Sequence, residues 1–327
     1  MSKMYRWGIV GAGGIAHKFA DALNHVENAK LQAIASTNAH RAKDFAQQFF
    51  IPDSYDSYEQ LFSSDTVDIV YIATPHNFHC NNTLGALKAK KHVLCEKPMA
   101  VNRSQVKQMI SSAQDNKVFL MEAMWTRFLP MMTEVRDMIE KGTIGQPQLL
   151  YADFGVKFDY DPKHRTYNPD LAGGALLDLG VYCIALASMI FGTPKNISST
   201  VKMADTGVDE RSTVILEYEN ANVAVLFQAL DLEGPREALI VGTEGSIKLH
   251  SGWTAGSDYT LKLNNGTEKT FKAETCENGF IYQIMAVQDS LDAGKTQCEL
   301  MNLDETLTIT ETMDTLRSQW GLKYPFE

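Results

Sequence analysis

Trp7-Gly8-Ile9-Val10-Gly11-Ala12-Gly13-Gly14-Ile15-Ala16 is the stretch whose reading decides the fold. The apolar run Tyr5–Val10 predicts a strand, and a helix is expected over Ile15–Val26. Between them lies G-x-G-x-x-A, which in that position is a dinucleotide-binding fingerprint. Gly11 permits a tight turn, Gly13 lets a pyrophosphate approach the backbone, and Ala16 is small enough for the helix to lie close on the strand. The first N–H groups of that helix, from Gly14 and Ile15 onward, then face the phosphates at its positive dipole end. A plain strand–helix turn without a ligand would use similar residues, so the surroundings must separate the two readings.

Downstream, strand and helix alternate. Strands are predicted over Leu31–Ser36, Val67–Ala73, His92–Cys95 and Val118–Met121, and helices over Ala39–Phe49, His79–Lys90 and Ser104–Asn116. Unbroken apolar strands separated by helices imply βαβ units and a parallel sheet covered on both faces. After about Glu122 the pattern changes to period-two alternation, over Gln148–Phe158, Ile197–Met203, Ser212–Tyr218, Val223–Leu230, Arg236–Val241 and Ser246–Leu249. Glu219-Asn220-Ala221-Asn222 and Gly242-Thr243-Glu244-Gly245 read as turns between such strands. Helices are expected over Ala175–Phe191, Gly279–Ala293 and Leu303–Trp320. The predicted class is α/β: an N-terminal Rossmann parallel sheet over residues 1–122, then an α+β domain over 123–327 built on a largely antiparallel open sheet.

Composition bounds the function. The chain has 327 residues, 44% hydrophobic and 21% charged, enough apolar mass for two sizeable cores. A net charge of −10 argues against nucleic acid or an anionic membrane as partner. The longest apolar run, Val181–Phe191, falls short of the roughly 20 residues that span a bilayer. No basic segment followed by an apolar one opens the chain, and the cysteines at 80, 95, 183, 276 and 298 lack metal or disulfide spacing. The expectation is a cytoplasmic protein with reduced thiols and no metal.

Three clusters carry chemistry. Thr74-Pro75-His76-Asn77-Phe78-His79 follows the Val67–Ala73 strand, and in open α/β sheets ligands bind off such strand ends. Cys95-Glu96-Lys97-Pro98 follows the next strand; Lys97 is either a site lysine or a solvated loop residue, and the Lys97–Pro98 bond is a candidate for the cis form. Gly173-Gly174-Ala175-Leu176-Leu177-Asp178-Leu179-Gly180-Val181-Tyr182 sets Asp178 and Tyr182 four residues apart, on one face of a helix. A dipole-balancing aspartate and a core tyrosine would give the same pattern.

Taken together, these motifs resemble the glucose–fructose oxidoreductase/inositol dehydrogenase family. Glu122-Ala123-Met124-Trp125-Thr126-Arg127-Phe128 and Gly279-Phe280 are similar to its dimeric dihydrodiol dehydrogenase and NADP-linked xylose dehydrogenase branch. The resemblance implies an oxidoreductase that passes a hydride between NAD(P) and a carbinol of a small sugar, polyol or cyclic diol. It implies Lys97, Asp178 and Tyr182 as catalytic, Tyr182 being the acid/base. Trp125, Phe154 and Phe280 would line the substrate pocket, with His79 and Arg165 as polar contacts. Cofactor contacts would come from Thr74, Pro75, His76, Glu96, Lys97 and Arg127 besides the glycine turn, and a homodimer is expected. A nicotinamide-dependent glycosidase or epimerase working by transient oxidation, or a nucleotide-sensing regulator, are the rival readings.

Two points follow from the residues themselves. A phenol with a pKa near 10 is a weak base at neutral pH, so Tyr182 needs a cation such as Lys97, with Asp178 assigned to orient that lysine. An NAD site usually places Asp or Glu at the end of the second strand. This chain has Ser36-Thr37-Asn38 there, with Arg41 one turn on, which suits a 2′-phosphate and favours NADP over NAD.

Overall fold

Six short strands, all but the edge strand Asp53–Tyr55 largely buried, form a parallel sheet in the computed structural model, which describes residues 3–274 and 278–327. They are β1 (Tyr5–Val10), β2 (Ala29–Ala35), β3 (Asp53–Tyr55), β4 (Ile69–Ile72), β5 (His92–Glu96) and β6 (Leu120–Ala123), in the order β3-β2-β1-β4-β5-β6. The helices that connect them are α1 (Gly14–Leu23), α2 (Ala39–Phe49), α3 (Tyr58–Phe62), α4 (His79–Lys88) and α5 (Arg103–Asn116). One core holds Val10, Val70, Ile72, Val93, Cys95 and Leu120 against Leu87 and Met109. Trp7, Ile9, Phe19 and Tyr71 are fully buried as well. Order reverses between β1 and β4, so the loops that leave those two strands flank the switch point where ligands of such sheets bind. Neither β3 nor α3 was expected from the sequence; both are too short to show a period.

Unit one comprises Met1–Trp125 and Cys276–Leu307, and unit two Thr126–Thr275 and Thr308–Glu327. The first unit therefore takes back a late segment that the expected spans 1–122 and 123–327 had given wholly to the second. Polar contacts anchor that segment: α8 (Phe280–Asp292) accepts the Tyr5 hydroxyl on Asp292 at 2.7 Å, and Gln288 donates to the Asn28 carbonyl at 2.9 Å. Asn278 donates to the Lys18 carbonyl at 2.7 Å and to Asp21 at 2.9 Å.

Unit two is built on eight strands: β7 (Pro147–Gly155), β8 (Asn196–Met203), β9 (Asp209–Glu217), β10 (Val223–Ala229), β11 (Ala238–Gly242), β12 (Gly245–Leu249), β13 (Tyr259–Leu263) and β14 (Glu268–Phe271). Their order is β14-β13-β12-β11-β7-β10-β9-β8, antiparallel throughout except for the parallel pair β7 and β10. Leu150, Ala224, Leu216, Ile240 and Ile247 line up across the strands on the buried face, against which α7 (Val181–Phe191) packs. Alternation places Ile215, Val225, Tyr151, Leu239 and Lys248 on the other face. The amphipathic α6 (Pro130–Glu140), β13 and the edge strand β14 were not foreseen. By length and hydropathy the stretch Pro169–Phe191 could cross a membrane, but 78% of its most apolar window is buried inside the protein, as in a core helix. The last helix, α9 (Leu303–Trp320), agrees with its expected span.

Candidate active site

The glycine turn has the geometry its sequence demands. Gly11 sits at φ +100°, and a Cβ there would come within 2.9 Å of the Ala73 carbonyl oxygen. Its N–H donates to the Ala35 carbonyl at 2.9 Å, tying the turn to the end of β2. Gly13 begins α1 without any side-chain cap, and the first turn holds no acid. Nothing lies within 4 Å of a Cβ placed on Gly13 or Gly14, and Ile15 is exposed. A bare, uncapped helix start beside the switch point is the cradle a pyrophosphate needs, so these residues fit a dinucleotide.

At the end of β2, Ser36 is buried while Thr37 and Arg41 are exposed. Asn38 spends its side chain capping α2, accepting from His40 and Arg41 N–H at 3.0 and 3.1 Å. Ser36 Oγ accepts from Asn38 N at 3.2 Å, and Thr37 hydrogen-bonds the Tyr58 hydroxyl. The residues that follow β2 in the chain, Ser36-Thr37-Asn38, include no carboxylate.

Past β4, Thr74 accepts from Asn82 at 3.1 Å, extended Pro75 opens a short 3-10 turn, and the His76 ring meets His79 edge-on at 5.7 Å. His79 corrects an expectation. Its ring is 1% exposed, with Nε2 and Nδ1 each 2.8 Å from the carbonyls of Thr74 and Pro98, so both polar atoms are committed to backbone. It braces the loops after β4 and β5 rather than presenting itself to a substrate, and burial pushes its imidazole pKa down.

Past β5, buried Glu96 accepts from the Tyr71 hydroxyl and, at 3.2 Å, from the Lys97 N–H. Phe19 stacks on Tyr71 at 3.6 Å. Burial raises the Glu96 carboxyl pKa, against the opposing pull of Tyr71, Lys97 and Lys18. The Lys97–Pro98 bond is cis, and Lys97 is half-buried. Trp125 and Phe280 stand 4.9 Å apart, centroid to centroid, and the Lys18 ammonium lies 4.4 and 4.7 Å from their rings. Burial lowers the Lys18 pKa while Glu96 raises it. Lys18 belongs to no motif in the sequence; its one signal is its place one turn past Gly14.

In unit two the Gly173–Tyr182 segment is not one regular helix. A five-residue π-turn, Leu176–Gly180, runs into α7. Such turns are frequent at functional sites. Asp178 lies in the π-turn and Tyr182 at the start of α7, both buried. The Phe154 ring from β7 meets Tyr182 edge-on at 5.4 Å. Asp178 forms an ion pair with Arg165, Oδ1 to Nη1 at 3.0 Å. Arg127, expected at the cofactor, is 5% exposed and donates to the Ala185 carbonyl of α7 at 2.8 Å. Phe154, Arg165, Asp178 and Tyr182 thus share one unit, while the glycine turn, Lys97, Trp125 and Phe280 share the other.

A Rossmann sheet with a bare glycine turn, Glu96-Lys97 past its fifth strand, and a second unit with Asp178 and Tyr182 on a helix start define an NAD(P)-dependent dehydrogenase acting on CH–OH groups. The chain belongs to the Gfo/Idh/MocA family: residues 5–124 match its "Oxidoreductase family, NAD-binding Rossmann fold" model and residues 132–248 its C-terminal domain model. It is 38% identical to the trans-1,2-dihydrobenzene-1,2-diol dehydrogenase of Danio rerio, over 98% of each chain. The Homo sapiens dihydrodiol dehydrogenase is 33% identical, again over 98% of both. A variant of the 3-ketoreductase KijD10 from Actinomadura kijaniata, solved with TDP-benzene and NADP, superposes with a TM-score of 0.87 at 25% identity, covering 96% of this chain and 97% of that one. An aldose-aldose oxidoreductase from Caulobacter crescentus shares the fold, with a TM-score of 0.89 at 22% identity and 98% coverage of both.

Proposed function

We propose that this dehydrogenase oxidises one carbinol of a small cyclic diol, polyol or sugar, with NADP as its preferred coenzyme and Tyr182 as the group that handles the hydroxyl proton. The observation that carries the reading is Tyr182 itself: a phenol at the start of α7, 8% exposed, set against the aromatic ring of Phe154. Full-length similarity to dihydrodiol dehydrogenases supports the substrate class. The NADP preference rests on Ser36-Thr37-Asn38 following β2 without a carboxylate and on Arg41, and NADP in the KijD10 complex agrees with it.

Bound nicotinamide supplies the hydride acceptor. Tyr182 takes the hydroxyl proton on its phenolate oxygen and returns it in the reverse direction. Lys97 supplies the positive charge that favours a phenolate and stabilises developing alkoxide. The Arg165–Asp178 pair fixes the turn ahead of Tyr182, and half-exposed Arg165 serves as a polar contact for substrate. Trp125 and Phe280 in unit one, and Phe154 in unit two, each offer an apolar face to a ring. His76 and Arg127 remain candidates near the coenzyme.

The assembly we propose is a homodimer through the outer sheet face of unit two, supported by its apolar row of Ile215, Val225, Tyr151 and Leu239. A cytoplasmic location accords with four described cysteines that are free and buried; Cys276 lies outside the described residues. Screening trans-dihydrodiols, polyols and aldoses with NADP and NAD, by nicotinamide absorbance, tests the reading. Net NADPH formation is expected. Glycoside cleavage or epimerisation with no net absorbance change would replace the dehydrogenase with the transient-oxidation enzyme.

A further inference from the structure

We infer that Asp209 is a positioning residue for the reaction: its buried carboxylate holds the start of the turn that carries Asp178 and Tyr182. The inference rests on the reading of Tyr182 as acid/base, and deepens it.

Asp209 opens β9 and is 0% exposed. Its Oδ2 accepts the Leu176 N–H at 2.6 Å, and Leu176 is the first residue of the π-turn, which has no side-chain cap of its own. Its Oδ1 lies against Gly174, where a Cβ would come 2.2 Å from that oxygen. Gly174 also sits at φ +124°, so glycine there makes room for this carboxylate. Immediately before it, the Gly173 carbonyl accepts the Tyr324 hydroxyl at 2.7 Å. The Arg317 guanidinium lies 4.6 Å from the Tyr324 ring centre and pairs with Glu327. The Gly173–Leu176 segment is therefore gripped twice, by a carboxylate on an N–H and by a phenol on a C=O.

A plain cap would be a Ser, Thr or Asn next to the turn, and this chain has Ala175 there. Asp209 instead buries a charge-bearing group from a distant strand, and its Oδ1 has no hydrogen-bond partner among the described residues. Burying a half-satisfied carboxylate is costly, and such departures concentrate where function needs them. Burial lifts the Asp209 carboxyl to about 7, against the pull of the Leu176 N–H, its own backbone N–H and Arg317. Tyr324 feels the Asp209 charge as well. Glu210, next on β9, pairs with Lys202, and Asp178, two residues past Leu176, pairs with Arg165. Deprotonation makes the bond from the Leu176 N–H charge-assisted, so that one contact is strongest above this value, while the buried charge itself costs the fold stability as pH rises towards it.

The test compares full-length wild type with D209A, D209N and Y182F. Its readouts are kcat and KM across pH, NADP affinity, and hydrogen exchange of the Leu176–Tyr182 amides. D209A should lose about 10- to 100-fold in kcat, the cost of misplacing a catalytic group, while its NADP affinity changes less than about twofold. Its turn amides should exchange faster. D209N keeps an acceptor for Leu176, so it should recover most of the turnover yet lack the wild-type rise in kcat through about pH 7. Unchanged kcat and protection in D209A, or a D209N profile that still rises at the same pH, would overturn the inference. Should D209A not fold, the D209N profile decides. Wild-type turnover by Y182F would sink the acid/base reading alone, leaving amide exchange to decide whether Asp209 holds the turn.

Discussion

Arg165 and Asp178 form an unequal pair: the carboxylate is 7% exposed and the guanidinium 49%, with 3.0 Å between Nη1 and Oδ1. Removing the arginine takes from a buried carboxylate one of its partners. Because half the pair is open to solvent, R165A should cost only about 1–2 kcal/mol of unit-two stability. Chemical denaturation checks this, and an unchanged midpoint would show that the pair is incidental.

Two glycines of one turn should behave oppositely. Alanine at Gly11 meets both a φ of +100° and the Ala73 carbonyl, so G11A should lose about 2–3 kcal/mol of stability. At Gly13 a Cβ meets nothing within 4 Å and φ is −98°, so G13A should fold within about 0.5 kcal/mol of wild type. Its NADP affinity should nevertheless fall about tenfold or more, because the methyl fills the space a phosphate requires. Melting curves and coenzyme titrations on both variants separate a structural glycine from a binding one.

Coenzyme choice should follow Arg41. R41A should lose about tenfold in kcat/KM with NADP, the worth of one exposed charge-assisted contact, with kcat/KM for NAD changed less than about twofold. Equal losses with the two coenzymes would move the 2′-phosphate elsewhere.

Much of this was legible in the chain because local pattern and local structure agree. Tyr5–Val10, Ala39–Phe49 and Leu303–Trp320 have the bounds their apolar periods predict. What escaped obeys no period. Pro130 reads as a breaker, yet it sits in the first turn of α6, where its missing N–H costs nothing. β13 and the edge strand β14 are only five and four residues long, and β14 carries lysine, as edges do. The π-turn breaks the i, i+4 register that was used to place Asp178 and Tyr182 on one face, and the pairing with Arg165 crosses 13 residues of irregular loop. Asp209 looked like any polar residue at a strand start. Only its burial, and the Leu176 N–H it accepts, set it apart.

Across the outer sheet face, Ile215, Val225, Tyr151 and Leu239 run side by side over four strands, Tyr151 being 47% exposed. An apolar row of that kind fits the proposed homodimer contact. Y151E should turn the proposed homodimer into a monomer at micromolar concentration, read by light scattering; a wild type that is already monomeric would refute the dimer.

The most direct measurement is turnover of Y182F beside its affinity for NADP. A phenol that moves the substrate proton is worth about 10²–10⁴ in rate, so kcat should drop by that order while the dissociation constant for NADP stays within about twofold. Turnover close to wild type, or a parallel loss of rate and coenzyme affinity, would contradict the assignment of Tyr182 as the acid/base of this dehydrogenase.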